Sequence, residues 1–546
     1  MSNVVRASIL IDGVRLKDTQ FTRIFLSQNI GWHHTLEVRL RQDANKGVLA
    51  QKAKEWIGKS IQIGFGFQSE RQLIKVPIPD VFIGVISSVS LLRKSGTAEL
   101  VLQGKSPTLF FDDGVHTRSF TDKSLQEIVD EALMPYKKVF AEEPRVEPKQ
   151  FKDILPYTVQ YKESHFAFIA RLANRYGEWC YYDGLQFFFG KPDAEPEIKL
   201  DFSHEGLIEF DIAVQAIPAK FEMRGYDYKV HKLLKEEAAQ TSPVNSLGQE
   251  VLDIANNHIY PLTNSTLVNV AMNQGEMEQL VQRTEQILLD EMVVLSGSSQ
   301  NPKLKIGATV SLRDVELGEN YGKYVITNLS HEIGQGGAYV NYFEAIPKEV
   351  ATPPLSTLSE PPFCETQLAT VTEVDDKDRL GRVKVKFLWQ EGSEEKSPWI
   401  RVASSYSGKD KGFYVIPEVG DQVLVAFANN HPASPYVLTG MYNGEAKPEW
   451  FDEGNRYKGF KSKGQNQWKF DDKEKSITIS APSSITLSAD DSITLKTSGN
   501  KSSNIKLDAG DGAIEVHAKT VRIVTQDTSI KADKNVSIKG ALIEIN

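Results

Sequence analysis

Apolar and polar residues alternate with period two along much of the chain. Ile61, Ile63, Phe65 and Phe67 fall on one side and Gln62, Gly64 and Gly66 on the other, and short β-branched runs continue from Val81 to Val101 across a turn signal at Arg93-Lys94-Ser95-Gly96. This alternation predicts half-buried strands in a sheet or barrel. Three segments change to a helical period. Ser124-Leu125-Gln126-Glu127 has the form of a capping box ahead of Ile128, Val129 and Leu133. Ser164 precedes Phe166, Ile169, Ala170 and Ala173, with Gly177 placed to end that helix in a left-handed conformation. Met277, Leu280, Val281, Thr284, Ile287 and Leu288 repeat at i, i+3, i+4, i+7 and predict a third helix. Pro347, Pro353, Pro354, Pro361 and Pro362 then lie in a stretch that can continue neither a helix nor a central strand, which marks the main domain boundary. Strand signals resume from Thr366 to Tyr442, a length that suits a small five-stranded barrel.

From Ser476 onward the pattern becomes a repeat. Apolar pairs two residues apart occur at Ile477/Ile479, Ile485/Leu487, Ile493/Leu495, Ile505/Leu507, Ile514/Val516, Val521/Ile523, Val536/Ile538 and Ile543/Ile545, with a weaker Thr528/Ile530 between. The pairs follow one another at 7 to 9 residues apart from one step of 12, where Lys496 to Asn504 reads as a surface loop. Short periods of this kind predict a β-helix or β-prism in which each strand contributes one inward pair and then turns. The outward positions, among them Thr478, Thr486, Thr494, Lys506, Glu515, Arg522, Ser537 and Glu544, are polar. A strand with two inward residues has no core of its own. Three chains wound about one axis are the simplest way to close the inward face; a monomeric β-solenoid or an ordinary repetitive sheet is the alternative.

Charge and composition remove several functions. The chain carries 63 Lys and Arg against 72 Asp and Glu, a net −9, which gives no general attraction to nucleic acid. Its N-terminus is broken by Arg6 and Asp12 and lacks the apolar region of a secretory signal, and no apolar run is long enough for a membrane span. Cys180 and Cys364 are far apart and read as packing residues. Gly58-Lys59-Ser60 and Gly104-Lys105-Ser106 lack the earlier glycine of a phosphate-binding loop, with Ala53 and Glu99 in its place, and HExxH and G-x-S-x-G motifs are missing. Apart from His33-His34, the ten histidines show no metal-ligand spacing. The pairs Asp112-Asp113, Asp375-Asp376, Asp471-Asp472 and Asp490-Asp491 read as solvated loop carboxylates, and His517 as a surface residue. The expectation is a non-enzymatic protein with no catalytic residue, no cofactor and no metal.

Several ordered motifs carry a family resemblance. Gly381-Arg382-Val383-Lys384-Val385-Lys386-Phe387-Leu388-Trp389, Trp399-Ile400-Arg401-Val402, Ile416-Pro417-Glu418-Val419-Gly420-Asp421-Gln422-Val423 and Pro435-Tyr436-Val437-Leu438-Thr439-Gly440-Met441-Tyr442-Asn443 together resemble the OB-fold domain of VgrG spike proteins. Glu163 to Leu172 with Gly177 resembles the helix motif of that family's hub, Asn341 to Pro347 its closing strand, and Gly464 to Asp472 its entry into the β-helix.

The resemblance implies a mainly β protein with a few helices, comprising β-barrel hub domains, an OB-fold domain and a C-terminal trimeric intertwined β-helix or β-prism. On that basis residues 1–350 form a hub with two barrel-like modules and helices, 351–365 a proline-rich linker, 366–445 the OB-fold domain, 446–475 a connector and 476–546 the needle. The needle interior would comprise Ile477, Ile479, Ile485, Leu487, Ile493, Leu495, Ile505, Leu507, Ile514, Val516, Val521, Ile523, Val536 and Ile538, and Ile543, Ile545 and Asn546 would form the platform for a tip partner. It further implies the homotrimeric central spike of a type VI secretion system or related contractile injection system. Its partners would be an inner tube (Hcp-like) protein, baseplate components, a PAAR-type tip protein, separate effector proteins and the target membrane on firing, with no nucleic acid. Assembly is expected in the cytoplasm without a signal peptide, followed by release or translocation into a target cell. Leu388 stands where many members have His. The roughly 30 residues between Asn443 and Ser476 are too few for an inserted lysozyme domain, since domains need at least about 50. No toxin domain is expected after the needle, and the terminus lacks an HxH iron-binding pattern. A trimeric receptor-binding or adhesin fibre with a saccharide-binding OB domain is the alternative reading, and a cell-wall hydrolase a third.

Overall fold

The computed structural model describes every residue except 1–3, 18–20, 42–46, 69–79, 95–96, 192–196, 203–205, 240–245, 269–272, 291, 335–337, 355–361, 393–394, 499–503 and 545–546. The chain divides into two compact units, Met1–Ala446 and Lys447–Asn546.

In the first unit the period-two segments become one hydrogen-bonded system of thirteen described strands that builds two modules. Val4–Ile11, Ser60–Gln68, Asp80–Lys94, Thr97–Lys105, Thr35–Arg41 and Phe21–Asn29 pair antiparallel in that order. Ile9, Ile63 and Phe82 stand opposite one another across three strands, Ile24, Val38 and Leu102 across the other three, and all six are buried. The apolar side of Ser60–Gln68 runs out at Phe67, which is exposed. The pairing runs to Lys94↔Thr97, and the Ser95-Gly96 turn signal lies outside the described residues.

The second module runs Glu319–Ile333, Tyr339–Pro347, Val293–Ser299, Leu207–Val214, Ile198–Phe202 and Thr309–Asp314, and the last pairs back onto Glu319–Ile333 to close a six-stranded barrel. Leu200, Leu295, Val310, Leu312, Ile326 and Phe343 fill it. Closure leaves no free edge. The far half of Glu319–Ile333 pairs with Phe21–Asn29, from Asn328↔Asn29 to Ile333↔Ile24. One long strand therefore belongs to both modules, and their spacing is fixed by backbone hydrogen bonds.

Local signals placed the helices well. Ser124 caps Leu125–Leu133 with both arms of the capping box formed. Ser164 caps His165–Tyr176, which ends at Gly177 with φ +68, where a Cβ would lie 2.8 Å from Thr352. Gln274–Asp290 is the third predicted helix. Two others, Val48–Trp56 and Ser246–Ile254, gave no clear pattern. Only Val48 of the first is buried, so that helix has no apolar stripe to read.

The OB barrel is set on the hub within this unit. Lys384–Phe387, Gln367–Glu373, Gln422–Phe427 and Pro435–Gly440 form its sheet. The fifth segment closes it through bridges Val383↔Ile400 and Val402↔Val437. Val159 and Tyr161, from the hub strand Ile154–Glu163, enter the same core as Val371, Val385, Val423 and Val437. Tyr161 donates to Glu365 at 2.6 Å and Gln390 to Ser119 at 2.7 Å. Packing and polar contacts thus hold the OB barrel to the hub strands; residues 355–361 of the proline-rich linker lie outside the described residues.

Two of the carboxylate pairs differ from expectation: Asp471 ends the strand Gln467–Asp471 and is paired with Arg456, and the Asp375-Asp376 pair departs further. Asp376 is no solvated loop residue: its side chain and that of Arg382 are only 3% and 4% exposed. Arg382 donates to Asp376 at 3.0 and 2.6 Å, and the amides of Leu380 and Arg382 donate to the same carboxylate. The guanidinium holds the Asp376 carboxyl well below the usual carboxylate range, so the stabilisation this group gives is present above about pH 4 and is lost on further acidification. Arg382→Ala strands that carboxylate and is expected to cost about 3–5 kcal/mol. Thermal unfolding checks it; an unchanged Tm contradicts the ascribed role.

Candidate functional site

The second unit begins with a small sheet. Tyr457–Lys461, Gln467–Asp471 and Ser476–Ser480 pair antiparallel as consecutive hairpins. Arg456 braces it with a bidentate pair of bonds to Asp471 at 2.5 Å. Residues directly opposite in a ladder share a face. Phe460, Trp468 and Ile479 therefore form one row, with Phe470 and Ile477 beside them on the same face. Gly459, Lys469 and Thr478 lie on the other.

The two faces differ in cover. Lys469 sits over the Tyr457 ring at 3.8 Å and the Trp450 ring at 5.5 Å, so part of the polar face is covered by its own chain. Gly459, with φ +151, permits this approach: a Cβ there would meet the Trp468 carbonyl at 2.0 Å and Trp450 at 3.0 Å. On the apolar face Phe460, Trp468, Ile477 and Ile479 are exposed.

Beyond Ser480 no further strand forms within one chain among the described residues. Every one of the fourteen positions expected to face inward, from Ile477 to Ile538, is between 52% and 69% exposed. Fourteen aliphatic side chains in water are the reverse of what a folded segment tolerates, since burying each is worth roughly 1.5–3 kcal/mol. The repeat brings these residues into register along the chain but not into contact across it. Of the proposed tip residues, Ile543 is exposed, and Ile545 and Asn546 lie outside the described residues, as does most of the Lys496–Asn504 loop. Sequence reading missed Phe460, Trp468 and Phe470 as part of this surface; the Trp468/Phe470 alternation was the available signal. It also missed the exposed Tyr406, Phe413 and Tyr414 beside the OB hairpin Ser407–Gly408/Lys411–Gly412.

The first unit also gathers several titratable side chains. His33 and His34 point to different surroundings: His33 bonds Thr108 and Asp112, each at 2.7 Å, and His34 is buried against Gln28. Folding brings Asp113, His116 and His165 together, which no sequence spacing shows. Both Asp113 oxygens, His116 Nε2 and His165 Nδ1 have partners within the protein. Asp113 accepts from His116 at 2.8 Å and from Tyr136 at 2.5 Å, while His165 Nδ1 accepts from Arg118 and Gln160. A cation there would meet the Arg118 guanidinium as its neighbour. The groove of about 530 Å³ across the joined modules is lined by Glu209, Asp211, Glu344 and aromatic residues, with no histidine, cysteine, lysine or arginine among its lining. His517 contacts Glu515 at 3.2 Å, both exposed. Cys180 and Cys364 are free and buried.

Comparison with known proteins adds two family matches. Residues 30–337 match the phage tail baseplate hub (GPD) model, and residues 367–442 match the type VI secretion system/phage-baseplate injector OB domain. The type VI secretion system spike protein VgrG5 of Pseudomonas aeruginosa is 26% identical over 321 residues, covering 53% of this chain and 40% of that protein. The actin cross-linking toxin VgrG1 of Vibrio cholerae is 28% identical over 172 residues, covering 28% of this chain and 16% of that protein. Each match spans well under half of the relative's own length. The E. coli c3393 protein, a type VI secretion component described as similar to T4 tail proteins gp27 and gp5, shares the fold at TM-score 0.52 and 15% identity, covering 79% of this chain and 99% of that one.

Proposed function

The chain belongs to the phage tail baseplate hub family and is VgrG-like, and from that footing we propose that three copies form the non-enzymatic central spike of a contractile injection apparatus. The observation that carries this reading is the open apolar stripe of residues 477–538, attached to a chain whose hub and OB segments match injector families. Three stripes facing one axis cover one another and leave the polar alternates in water. Each chain contributes two linked β modules, the second a closed barrel, so three present six to a sixfold tube and relieve the mismatch between threefold spike and sixfold tube. The OB collar, packed on the hub, passes axial force to the needle. Stacked strands with a dry interior and no long open edge resist buckling as the needle crosses a membrane.

On this reading the hub docks on an Hcp-like tube and baseplate components, the far end of the needle carries a PAAR-type tip, and effectors travel as separate proteins. Assembly takes place in the cytoplasm and the spike leaves the cell on firing. Among the described residues no helix is long and apolar enough to cross a membrane. The hub family match weighs against an adhesin fibre, which has no use for a tube-docking module.

The test is to mix the purified protein with its tube protein and image the product. Tubes capped at one end are expected. Free tubes beside free protein would remove the docking role, and clearing of a peptidoglycan zymogram would overturn the non-enzymatic reading.

A further inference from the structure

The small sheet Tyr457–Ser480 stands apart from the rest of the second unit: it is folded by its own hydrogen bonds, while residues 481–544 form no ladder among those described. It is also asymmetric. On its polar face Lys469 lies over the Trp450 and Tyr457 rings of the same chain, whereas on its aromatic face Phe460, Trp468, Ile477 and Ile479 are exposed, Trp468 to 51%. We infer that this aromatic face is where three copies of the chain first recognise one another, and that its contact fixes the register of the needle. The inference rests on the trimeric reading above and deepens it.

The occupant is a second copy for two reasons. The row Phe460, Trp468 and Ile479 is continuous with the inward stripe, since Ile477 and Ile479 are both the last apolar residues of the sheet and the first pair of the repeat. A surface that covered anything else would break the line of the needle interior. The repeat itself is also ambiguous in register. Successive Ile/Leu pairs at about eight-residue intervals resemble one another, so a shift of one whole repeat would again bury aliphatic pairs, and strands with such patterns specify register weakly. A large ring set has no equivalent farther along. Phe460, Trp468 and Phe470 are the aromatic residues of the open face, whereas from Ser476 to Asn546 the sequence contains no Phe, Tyr or Trp. Aromatic surfaces bury more area per residue and prefer defined geometries, so one aromatic layer at the head of the needle excludes the shifted alternatives.

Hydroxyl-radical footprinting of the full-length wild-type protein, with native mass measured on the same sample, tests this without a substitution. Expected is a trimer in which oxidation at Trp468 is lost relative to chains dispersed in denaturant. A trimer with Trp468 still reactive overturns the inference and leaves the needle reading in place; a monomer at all concentrations removes the trimeric reading and this inference with it. A second measurement follows refolding by dilution. Trp468→Ser with Phe470→Ser is expected to lose trimer at low concentration, and Trp468→Phe to retain it. Recovery of the double variant at the wild-type rate would count against the inference, provided that the first unit shows its normal thermal transition.

Discussion

Replacing Ile493 with Asp will abolish the trimer, whereas replacing its neighbour Thr494 with Asp will leave it intact. The contrast follows from alternation alone. Ile493 belongs to the apolar stripe of the repeat and Thr494 to its polar alternates, so in the proposed trimer the first substitution places three carboxylates at one level of a dry axis and the second places them in water. Burying an unpaired charge costs on the order of several kcal/mol even after relaxation, and threefold symmetry makes each charge the neighbour of two others. The stripe offers no cation at that level: Ile485, Leu487 and Leu495 are the adjacent inward residues. Sedimentation and thermal unfolding read the outcome. Equal effects of the two substitutions, or wild-type mass and Tm for Ile493→Asp, would show that these residues do not face an axis.

Acid will destabilise the first unit well above the pH at which most carboxylates titrate. His34, His331 and His431 are held down to about 3, and His165 to about 4, in each case mainly by burial. Neighbours add to it: Arg118 and His116 face His165, and Arg175 and Arg171 face His431. His34 lies among Gln28, Phe82 and Tyr182, and His331 between Phe65 and Tyr339. Each folded-state value lies below the unfolded 6.5, so between those limits the unfolded chain binds more protons. Stability is therefore full above about pH 6.5 and falls as pH drops toward 4, at up to about 1.4 kcal/mol per histidine per pH unit and about 5 for the four together. Carboxylates with lowered pKa act in the same direction only below about pH 4.5, and Glu178, raised by burial, acts in the opposite direction above it, so the four histidines dominate the window. Tm measured from pH 7.5 to 4.5 is expected to fall steeply, and His331→Phe to flatten the slope. A flat profile over that window contradicts the account.

Local patterns made much of the fold legible. The capping box at Ser124, the Ser164 and Gly177 pair and the period-two strands all form as their residues dictate, because hydrogen bonds within a few residues decide them. What the sequence did not carry was decided at long range. Nothing in the spacing of residues 198–333 announces that Thr309–Asp314 returns to Glu319–Ile333 and closes a barrel, or that the far half of that strand continues into Phe21–Asn29. The buried Asp376 read as a loop carboxylate because its partner Arg382 looks like an ordinary strand residue until the turn folds back. Meeting of Asp113, His116 and His165 depends likewise on three separate elements. The candidate needle was the clearest feature of the sequence for the opposite reason: a repeat writes the same physical requirement many times over. Its aromatic head was missed because three rings on two strands make no repeat.

The central claim is that three chains close one needle, and native mass by light scattering after size exclusion tests it most directly. The account predicts a value near 183 kDa, three times the 61.0 kDa of one chain. A value near 61.0 kDa across the accessible concentration range would mean that the stripe from Ile477 to Ile538 is not covered by sister chains, and would contradict it.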